Sequence, residues 1–156
     1  MASGGSLDEI RVRLERDGPD GVVELLEQRF EHYSWIGVYL VEGDELVLGP
    51  WRGPQATEHV RIPVGEGICG SAAASGRTEV VDDVNADPRY LACFVSTRSE
   101  IVVPILLDGT VVGEIDVDSD RPAAFGDDDR RFLEQVAELL APALAPAAGP
   151  RPPEAG

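Results

Sequence analysis

The sequence contains two cysteines, Cys69 and Cys93, and each lies in a segment where a thiol can be reactive. Cys69 falls in the first turn of a short predicted helix, where exposed backbone N–H groups lower the pKa of a thiol. Cys93 lies in a long predicted loop between Arg89 and Arg98, whose positive charges favour the thiolate. The alternative for each is a small buried hydrophobic residue, which is a common role of an unpaired cysteine. Both thiols are therefore candidates for the reactive groups of the protein.

Three carboxylates lie on one face of the last predicted strand, because side chains alternate between the two faces of a strand. Glu114, Asp116 and Asp118 share that face, while Ile115 and Val117 point the opposite way. Three acids side by side repel one another unless a cation, a proton or solvent relieves the charge. The alternative is an ordinary solvated face of an antiparallel sheet. The pattern makes this strand a candidate wall of a binding site.

Aromatic residues and a fourth acid extend the same predicted site. Glu100 comes at the start of the neighbouring strand, and the first strand presents Trp35 and Tyr39 on one face, together with Tyr33 and Gly37. An aromatic wall beside clustered acids suits a small cationic or amino-bearing ligand. The sequence therefore predicts a pocket on this face of the sheet.

Metal and phosphate sites find little support in the sequence, and no metal or cofactor is predicted. A zinc site made of the two cysteines with His32 and His59 has the wrong ligand spacing. The glycines at 65 and 67 lack the lysine of a phosphate-binding loop. His59 falls within a predicted strand and is interpreted as a packed or surface histidine, not as a base.

The composition narrows the class of protein. A chain of 156 residues fits one domain. Its net charge of −16, with 13 basic residues that are all arginine, repels a phosphate backbone, so nucleic acid is not an expected partner. No apolar run approaches the roughly 20 residues that span a bilayer. The polar, acidic N-terminus does not look like a secretory signal, and two cysteines fit a reducing cytoplasm.

The order of predicted elements indicates the architecture. Ser6 and Glu9 form a capping box for a first helix, which Gly18 and Pro19 end before a second helix begins. Strands are predicted at 33–41, 45–51, 59–64, 79–83, 101–107 and 111–118, with helices at 68–75 and 125–140 and a long connection at 85–99. The fold class is α+β: an antiparallel sheet with the N- and C-terminal helices on one face and a loop-lined pocket on the other.

The predicted organisation has three parts. Residues 1–32 form an N-terminal helical segment that packs on the sheet, residues 33–140 form the domain, and residues 141–156, rich in Pro and Ala, form a disordered tail.

Several short motifs together resemble the free methionine-(R)-sulfoxide reductases, which are single-GAF-domain enzymes. The motifs are Trp-Ile-Gly-Val-Tyr at 35–39, Leu-Gly-Pro at 48–50, Arg-Ile-Pro-Val-Gly at 61–65, Gly-Ile-Cys-Gly at 67–70, Ala-Cys at 92–93, Ser-Glu-Ile-Val-Val-Pro at 99–104 and Ile-Asp-Val-Asp-Ser at 115–119. They run in order from about Tyr33 to Leu140. The segment around Cys69 and the stretch at 99–104 are specific, since generic GAF sensor domains seldom carry both.

The resemblance implies a thioredoxin-dependent reductase of free methionine (R)-sulfoxide. Cys93 matches the catalytic cysteine of the family, and Cys69 matches a resolving cysteine. Attack by Cys93 on the sulfoxide sulfur would give a sulfenic acid and free methionine, and Cys69 would then condense with it to a disulfide. A dithiol reductant such as thioredoxin would restore both thiols.

The resemblance also implies roles for the acids and aromatics. Trp35 and Tyr39 match the wall around the methyl group of the substrate, and Glu100, Asp116 and Asp118 match its acidic ligands. Crowded carboxylates raise one another's pKa, so that one of them, Glu100 or Asp118, stays protonated and hydrogen-bonds the sulfoxide oxygen. The remaining negative charge would hold the ammonium group of the free amino acid.

The chain departs from the family pattern at three places. His59 stands where the family usually has a further cysteine, and Tyr90 stands three residues before Cys93, where a histidine is common. The segment before the first strand is shorter than usual, and such domains often pair through it, so a homodimer is left open.

The alternative functions are a GAF sensor module that binds a small ligand or switches through a disulfide, and a scaffold without catalysis.

Overall fold

The computed structural model describes residues 2–54, 56–57, 59–90 and 96–148, with side chains placed from residue 7 to residue 144. One antiparallel sheet of six strands has the spatial order β3-β2-β1-β6-β5-β4. The strands are β1 Trp35–Glu42, β2 Glu45–Arg52, β3 Arg61–Pro63, β4 Glu79–Val81, β5 Ser99–Leu107 and β6 Thr110–Ser119. The central pair is therefore β1 and β6, which carry the aromatic and acidic motifs.

The N-terminal helix α1, Ala2–Arg29, bends where the sequence predicts a break. Gly18 has a non-helical φ of 75°, a conformation that glycine adopts without steric strain, and Pro19 follows it. The predicted helix start at Ser6 is wrong, because the helix already begins at Ala2. Within the described part of the chain, no helix is both long and apolar enough to cross a membrane.

The C-terminal helix α3, Asp127–Ala148, is longer than the sequence predicts. Its first turn carries the three expected aspartates at 127–129. Negative charge is stabilising there, because the N-terminal end of the helix dipole is positive. The helix continues past Leu140, and both Ala141 and Leu144 are buried in the core. The predicted tail is therefore wrong for residues 141–148, since burial of Leu144 and the helix propensity of alanine outweigh the prolines. Residues 149–156 lie outside the described part of the chain.

One face of the sheet packs against α1 and α3. Its core contains Ile36, Val38, Ile115 and Val117, as their alternation along β1 and β6 predicts. Tyr33 also lies on this face, where its ring stacks on Phe30 at a centroid distance of 4.7 Å. The expectation that Tyr33 shares a face with Trp35 is wrong: Tyr33 precedes β1, so strand alternation does not govern its direction.

The opposite face is covered by the short helix α2, Gly67–Ser75. A second hydrophobic cluster lies beneath it, including Tyr39, Ile62, Ile68 and Cys69. Gly76 ends the helix in the left-handed conformation and donates its N–H to the carbonyl of Ala72, as predicted. This helix covers the sheet face that carries the acids, so that the space between the helix and the sheet is partly enclosed.

Candidate active site

The three acids of β6 face α2 and are buried. Across the sheet, Asp116 pairs with Gly37 of β1 and Val102 of β5, and Asp118 pairs with Trp35 and Glu100. Glu114, Asp116 and Asp118 are 0%, 2% and 3% exposed. Glu100 is 4% exposed. The solvated-face interpretation is therefore wrong, and the predicted clustering of four carboxylates is observed.

Several carboxylate oxygens of the three β6 acids are buried without a hydrogen-bond partner in the described part of the chain. Both oxygens of Glu114, Oδ1 of Asp116 and Oδ1 of Asp118 have no hydrogen-bond partner among the described residues. Burial, followed by the charge on Asp116, raises the pKa of Glu114 and of Asp118 well above the usual carboxyl range. Burial also raises the pKa of Asp116. A carboxyl group kept neutral in this way can donate a hydrogen bond at neutral pH.

Cys69 points from α2 toward the acids. Its thiol donates to Oε2 of Glu100 across 3.8 Å, and the side chain is buried. Burial raises the pKa of Cys69 well above the usual value, with further contributions from the charges of Asp116, Glu114, Glu100 and Asp118. The expected lowering of this pKa by the helix N-terminus is thus wrong. Desolvation and four nearby acids outweigh the partial charge of one helix end, so Cys69 is a neutral thiol.

Cys93 lies outside the described residues, and its role remains a prediction. On its N-terminal side, Tyr90 packs against the hydrophobic cluster that contains Cys69. On its C-terminal side, the backbone N–H of Arg98 donates to the carbonyl of Ser119, at the end of β6. Arg89, which was expected to favour the Cys93 thiolate, forms ion pairs with Asp87 and Glu79 at 2.7 Å and 3.1 Å.

A small cavity lies between α2 and the sheet. It is lined by Tyr39, His59, Ile62, Ile68, Cys69, Glu100 and Asp116 and has a volume of about 10 Å³. That volume holds about one water molecule. The predicted pocket is therefore found where Cys69, Tyr39, Glu100 and Asp116 converge. Trp35 and Asp118 lie on the same face of the sheet but not among the lining residues.

His59 lines the cavity of the candidate site, which its predicted place within a strand did not indicate. It lies just before β3 rather than within a strand, and it lines the cavity with Cys69. The hydroxyl of Tyr39 donates to the His59 carbonyl at 2.7 Å, and the His59 N–H donates to the Thr57 hydroxyl at 3.1 Å. One signal for this position was present in the sequence, since the family resemblance implies a cysteine there and His59 departs from it.

Trp35 is held by close packing with glycine and with a second tryptophan. A Cβ at Gly37 would lie 2.5 Å from the Trp35 ring, and one at Gly53 would lie 2.3 Å from it, so both positions need glycine. The ring of Trp51 stacks on Trp35 at a centroid distance of 6.1 Å. Trp51 was not predicted as part of this wall, because its contact crosses from β2 to β1.

Comparison with known proteins defines the class of this fold and site. The GAF domain model matches residues 20–144, and the chain therefore belongs to the GAF domain family. Free methionine-R-sulfoxide reductase of Escherichia coli is 40% identical over 121 residues, which is 78% of this chain and 72% of the relative. Protein YtsP of Bacillus subtilis is 45% identical over 123 residues, 78% of this chain and 74% of the relative.

A solved structure agrees with these relatives. Free methionine-R-sulfoxide reductase from Neisseria meningitidis, in complex with its substrate, superposes with a TM-score of 0.82 and 39% identity, over 88% of this chain and 85% of that chain. The predicted resemblance to the free methionine-R-sulfoxide reductases, and the predicted fold class, are confirmed.

Proposed function

We propose that this protein is a thiol-dependent reductase of free L-methionine (R)-sulfoxide. One observation carries the proposal: Cys69 and the buried acids Glu100 and Asp116 converge on a cavity that Tyr39 also lines. A thiol among partly neutral carboxyl groups is the arrangement that sulfoxide reduction needs. Reductases with the same fold and about 40% identity support this chemistry.

Substrate binding uses the charge and the aromatic wall. Asp116, with Glu100 and Asp118, would hold the ammonium group of the free amino acid, and Trp35 and Tyr39 would contact its methyl group. Because the cavity of about 10 Å³ holds about one water, it must widen when a free amino acid binds. A protein-bound methionine sulfoxide lacks the free ammonium group, which is why we propose the free amino acid.

The first chemical step is attack of the Cys93 sulfur on the sulfoxide sulfur. The S–O bond of the substrate breaks, oxygen passes to Cys93 as a sulfenic acid, and methionine leaves as the thioether. The departing oxygen needs a proton, and Glu100 or Asp118 would supply it as general acid. The raised pKa of Asp118 supports this assignment.

The second step forms a disulfide between Cys69 and Cys93. The Cys69 sulfur displaces the hydroxyl group of the sulfenic acid as water, and Glu100, 3.8 Å from the thiol, would accept the Cys69 proton. A thioredoxin-like dithiol then reduces the disulfide. A neutral Cys69 would not compete with Cys93 for the substrate, which supports the division of roles between them.

The decisive experiment measures turnover coupled to thioredoxin, thioredoxin reductase and NADPH, with the R and S epimers of free methionine sulfoxide assayed separately. We expect turnover of the R epimer only. Cys93→Ser should abolish turnover, whereas Cys69→Ser should complete one turnover and stop as a sulfenic acid or mixed disulfide, visible by intact mass.

Absence of turnover by the wild-type protein with both epimers would contradict the proposal and favour the GAF sensor alternative. Loss of the first turnover in Cys69→Ser would contradict the order of the two cysteines. The need for a dithiol reductant is consistent with a cytoplasmic location. A homodimer remains a prediction, which a measurement of the oligomeric state in solution would test.

A further inference from the structure

Three side chains of the cavity present ligand atoms at the spacing of a metal site. The sulfur of Cys69 and one carboxylate oxygen each from Glu100 and Asp116 all lie within 4.8 Å of one another, and all three residues are buried. In a tetrahedral zinc site with ordinary Zn–S and Zn–O bonds, sulfur and oxygen ligands are about 3.6 Å apart. The sulfur of Cys69 lies 3.8 Å from Oε2 of Glu100, which fits that geometry.

A second observation points to a ligand in the same place. Oδ1 of Asp116 is buried without a hydrogen-bond partner among the described residues, on a side chain that lines the cavity. The cavity of about 10 Å³ is large enough for a single ion or water and is also lined by His59. Thiolate, carboxylate and imidazole together form a ligand set that zinc accepts and that magnesium and calcium disfavour.

We propose that the reduced protein binds one Zn²⁺ ion through Cys69, Glu100 and Asp116. The imidazole of His59, which lines the same cavity but lies outside this group of three, would turn toward the ion to become the fourth ligand. The arrangement differs from the one that the sequence spacing excluded, because His32 packs on the opposite face of the sheet and bonds Asp129 at 2.9 Å. The bound ion would supply the positive charge that the buried acids lack. It would also hold Cys69 as a thiolate bound to metal.

Zinc at this position would make the protein inactive as a reductase, and this consequence rests on the proposed function. The ion would occupy the carboxylates that we assign to the substrate ammonium, and it would withdraw Cys69 from disulfide formation. The binding step involves no redox change: a proton leaves the thiol, and a Zn–S bond forms. Removal of the ion by a chelator would restore the thiol.

The binding test uses Co²⁺ as a spectroscopic substitute for Zn²⁺, with reduced protein freed of reductant and metal. We expect a thiolate-to-cobalt charge-transfer absorption at one equivalent, abolished in Cys69→Ser and displaced by Zn²⁺. Asp116→Asn should weaken Zn²⁺ binding, measured by competition with a chromophoric chelator, by more than the roughly 10- to 100-fold that loss of an outer-shell group costs. Circular dichroism would confirm that each variant is folded.

The two histidines of the chain provide a matched control. His59→Gln should weaken Zn²⁺ binding at least about tenfold, whereas His32→Gln should leave it unchanged. Cys93→Ser should retain the charge-transfer absorption. Loss of the absorption in Cys93→Ser, or its survival in Cys69→Ser, would overturn the ligand assignment, and absence of binding by the wild-type protein would overturn the site.

The inhibition is tested separately, by a single turnover of prereduced protein in the absence of added thiols. One equivalent of Zn²⁺ should prevent release of methionine, and EDTA should restore it. Cobalt binding without any turnover by the metal-free protein would contradict the reductase but not the metal site. Turnover that is insensitive to saturating Zn²⁺ would contradict the inhibition.

Discussion

The two faces of strand β6 differ in how they contribute to stability. Ile115 and Val117 are 1% and 0% exposed in the core beneath α1 and α3. Asp116 and Asp118 are equally buried on the other face, beneath α2 and beside β1. An apolar side chain buried in this way stabilises the fold by about 1.5–3 kcal/mol, whereas a buried carboxyl without a partner destabilises it. One strand therefore supports the fold on one side and carries the acids of the candidate site at an energetic cost on the other.

The comparison shows where the hydrophobic pattern of the sequence and the burial in the structure disagree. On the helical face, hydrophobic pattern, burial and packing all agree, as they do in a stable core. On the α2 face, acids occupy positions that burial alone would assign to apolar residues. Such conflicts are expected at functional sites, and the unpaired oxygens of Glu114, Asp116 and Asp118 mark this one.

The largest expected effect is the loss of activity on the acidic face without loss of stability. Asp118→Asn should lower the rate of methionine formation by about 10²- to 10⁴-fold, since we propose Asp118 as a general acid and an amide cannot donate that proton; an unchanged rate would assign the role to Glu100. The free energy of unfolding should stay the same or increase, because the amide relieves the desolvation of a carboxyl group. Asp120→Asn, at an exposed neighbouring position, is the control and should leave both quantities unchanged.

The next effect is the loss of stability on the helical face. Ile115→Ala should reduce the free energy of unfolding by about 2–5 kcal/mol, measured by urea denaturation, because it leaves a cavity in a packed core. Asp116→Asn, one residue further along, should cause no such loss. Equal destabilisation by the two substitutions would contradict the proposed difference between the faces.

A smaller effect is expected where α2 packs on the turn before it. A Cβ at Gly70 would lie 2.6 Å from the Pro63 carbonyl oxygen, so Gly70→Ala should displace the start of α2 and cost about 1–3 kcal/mol. Because Cys69 is adjacent, its alkylation rate should rise as it becomes exposed. Gly126→Ala has open space for its Cβ and serves as the matched control. An unchanged alkylation rate would argue against tight docking of α2 at this point.

The smallest expected effects are pH dependences of the free energy of unfolding, which should have opposite signs for an acid on each face. They are measured in EDTA so that no metal ion is bound. The pKa of Asp118 is raised, so its contribution to stability is largest below the ordinary pKa of Asp and is lost as the pH rises toward the folded pKa. Wild type and Asp118→Asn should therefore be similarly stable near pH 4, and the variant should become more stable at higher pH, by at most about 1.4 kcal/mol per pH unit.

On the helical face the sign reverses. Desolvation raises the pKa of Asp129, but the hydrogen bonds from His32, the Gly126 N–H and the Tyr33 hydroxyl, with the charge interaction with His32, outweigh it and lower this pKa. Its contribution to stability is present above the ordinary pKa of Asp and is lost as the pH falls through the folded pKa. Asp129→Asn should thus be less stable than wild type at neutral pH, with the difference shrinking in acid. Thermal melts of both variants across this range would show whether the signs differ.

Local rules in the sequence predicted much of the sheet and part of the site. The period of two along β1 and β6 correctly placed Trp35 and Tyr39 on the face of the acids, because side-chain direction in a strand depends only on the backbone. The turn at Asp108 and Gly109 was also predicted, and both residues have the positive φ values of a tight hairpin turn. The motifs around Cys69 were specific enough to indicate the family.

By itself, then, the sequence determined the directions of the side chains within β1 and β6, the pairing of strands in the hairpins and the family to which the chain belongs. Only the tertiary structure decided which faces are buried, because burial depends on segments distant in the chain. The packing of α2 over β6 makes Cys69 a neutral thiol instead of an activated one, and it brings His59 into the same cavity. Desolvation by such long-range packing outweighs any pKa shift that local sequence can predict.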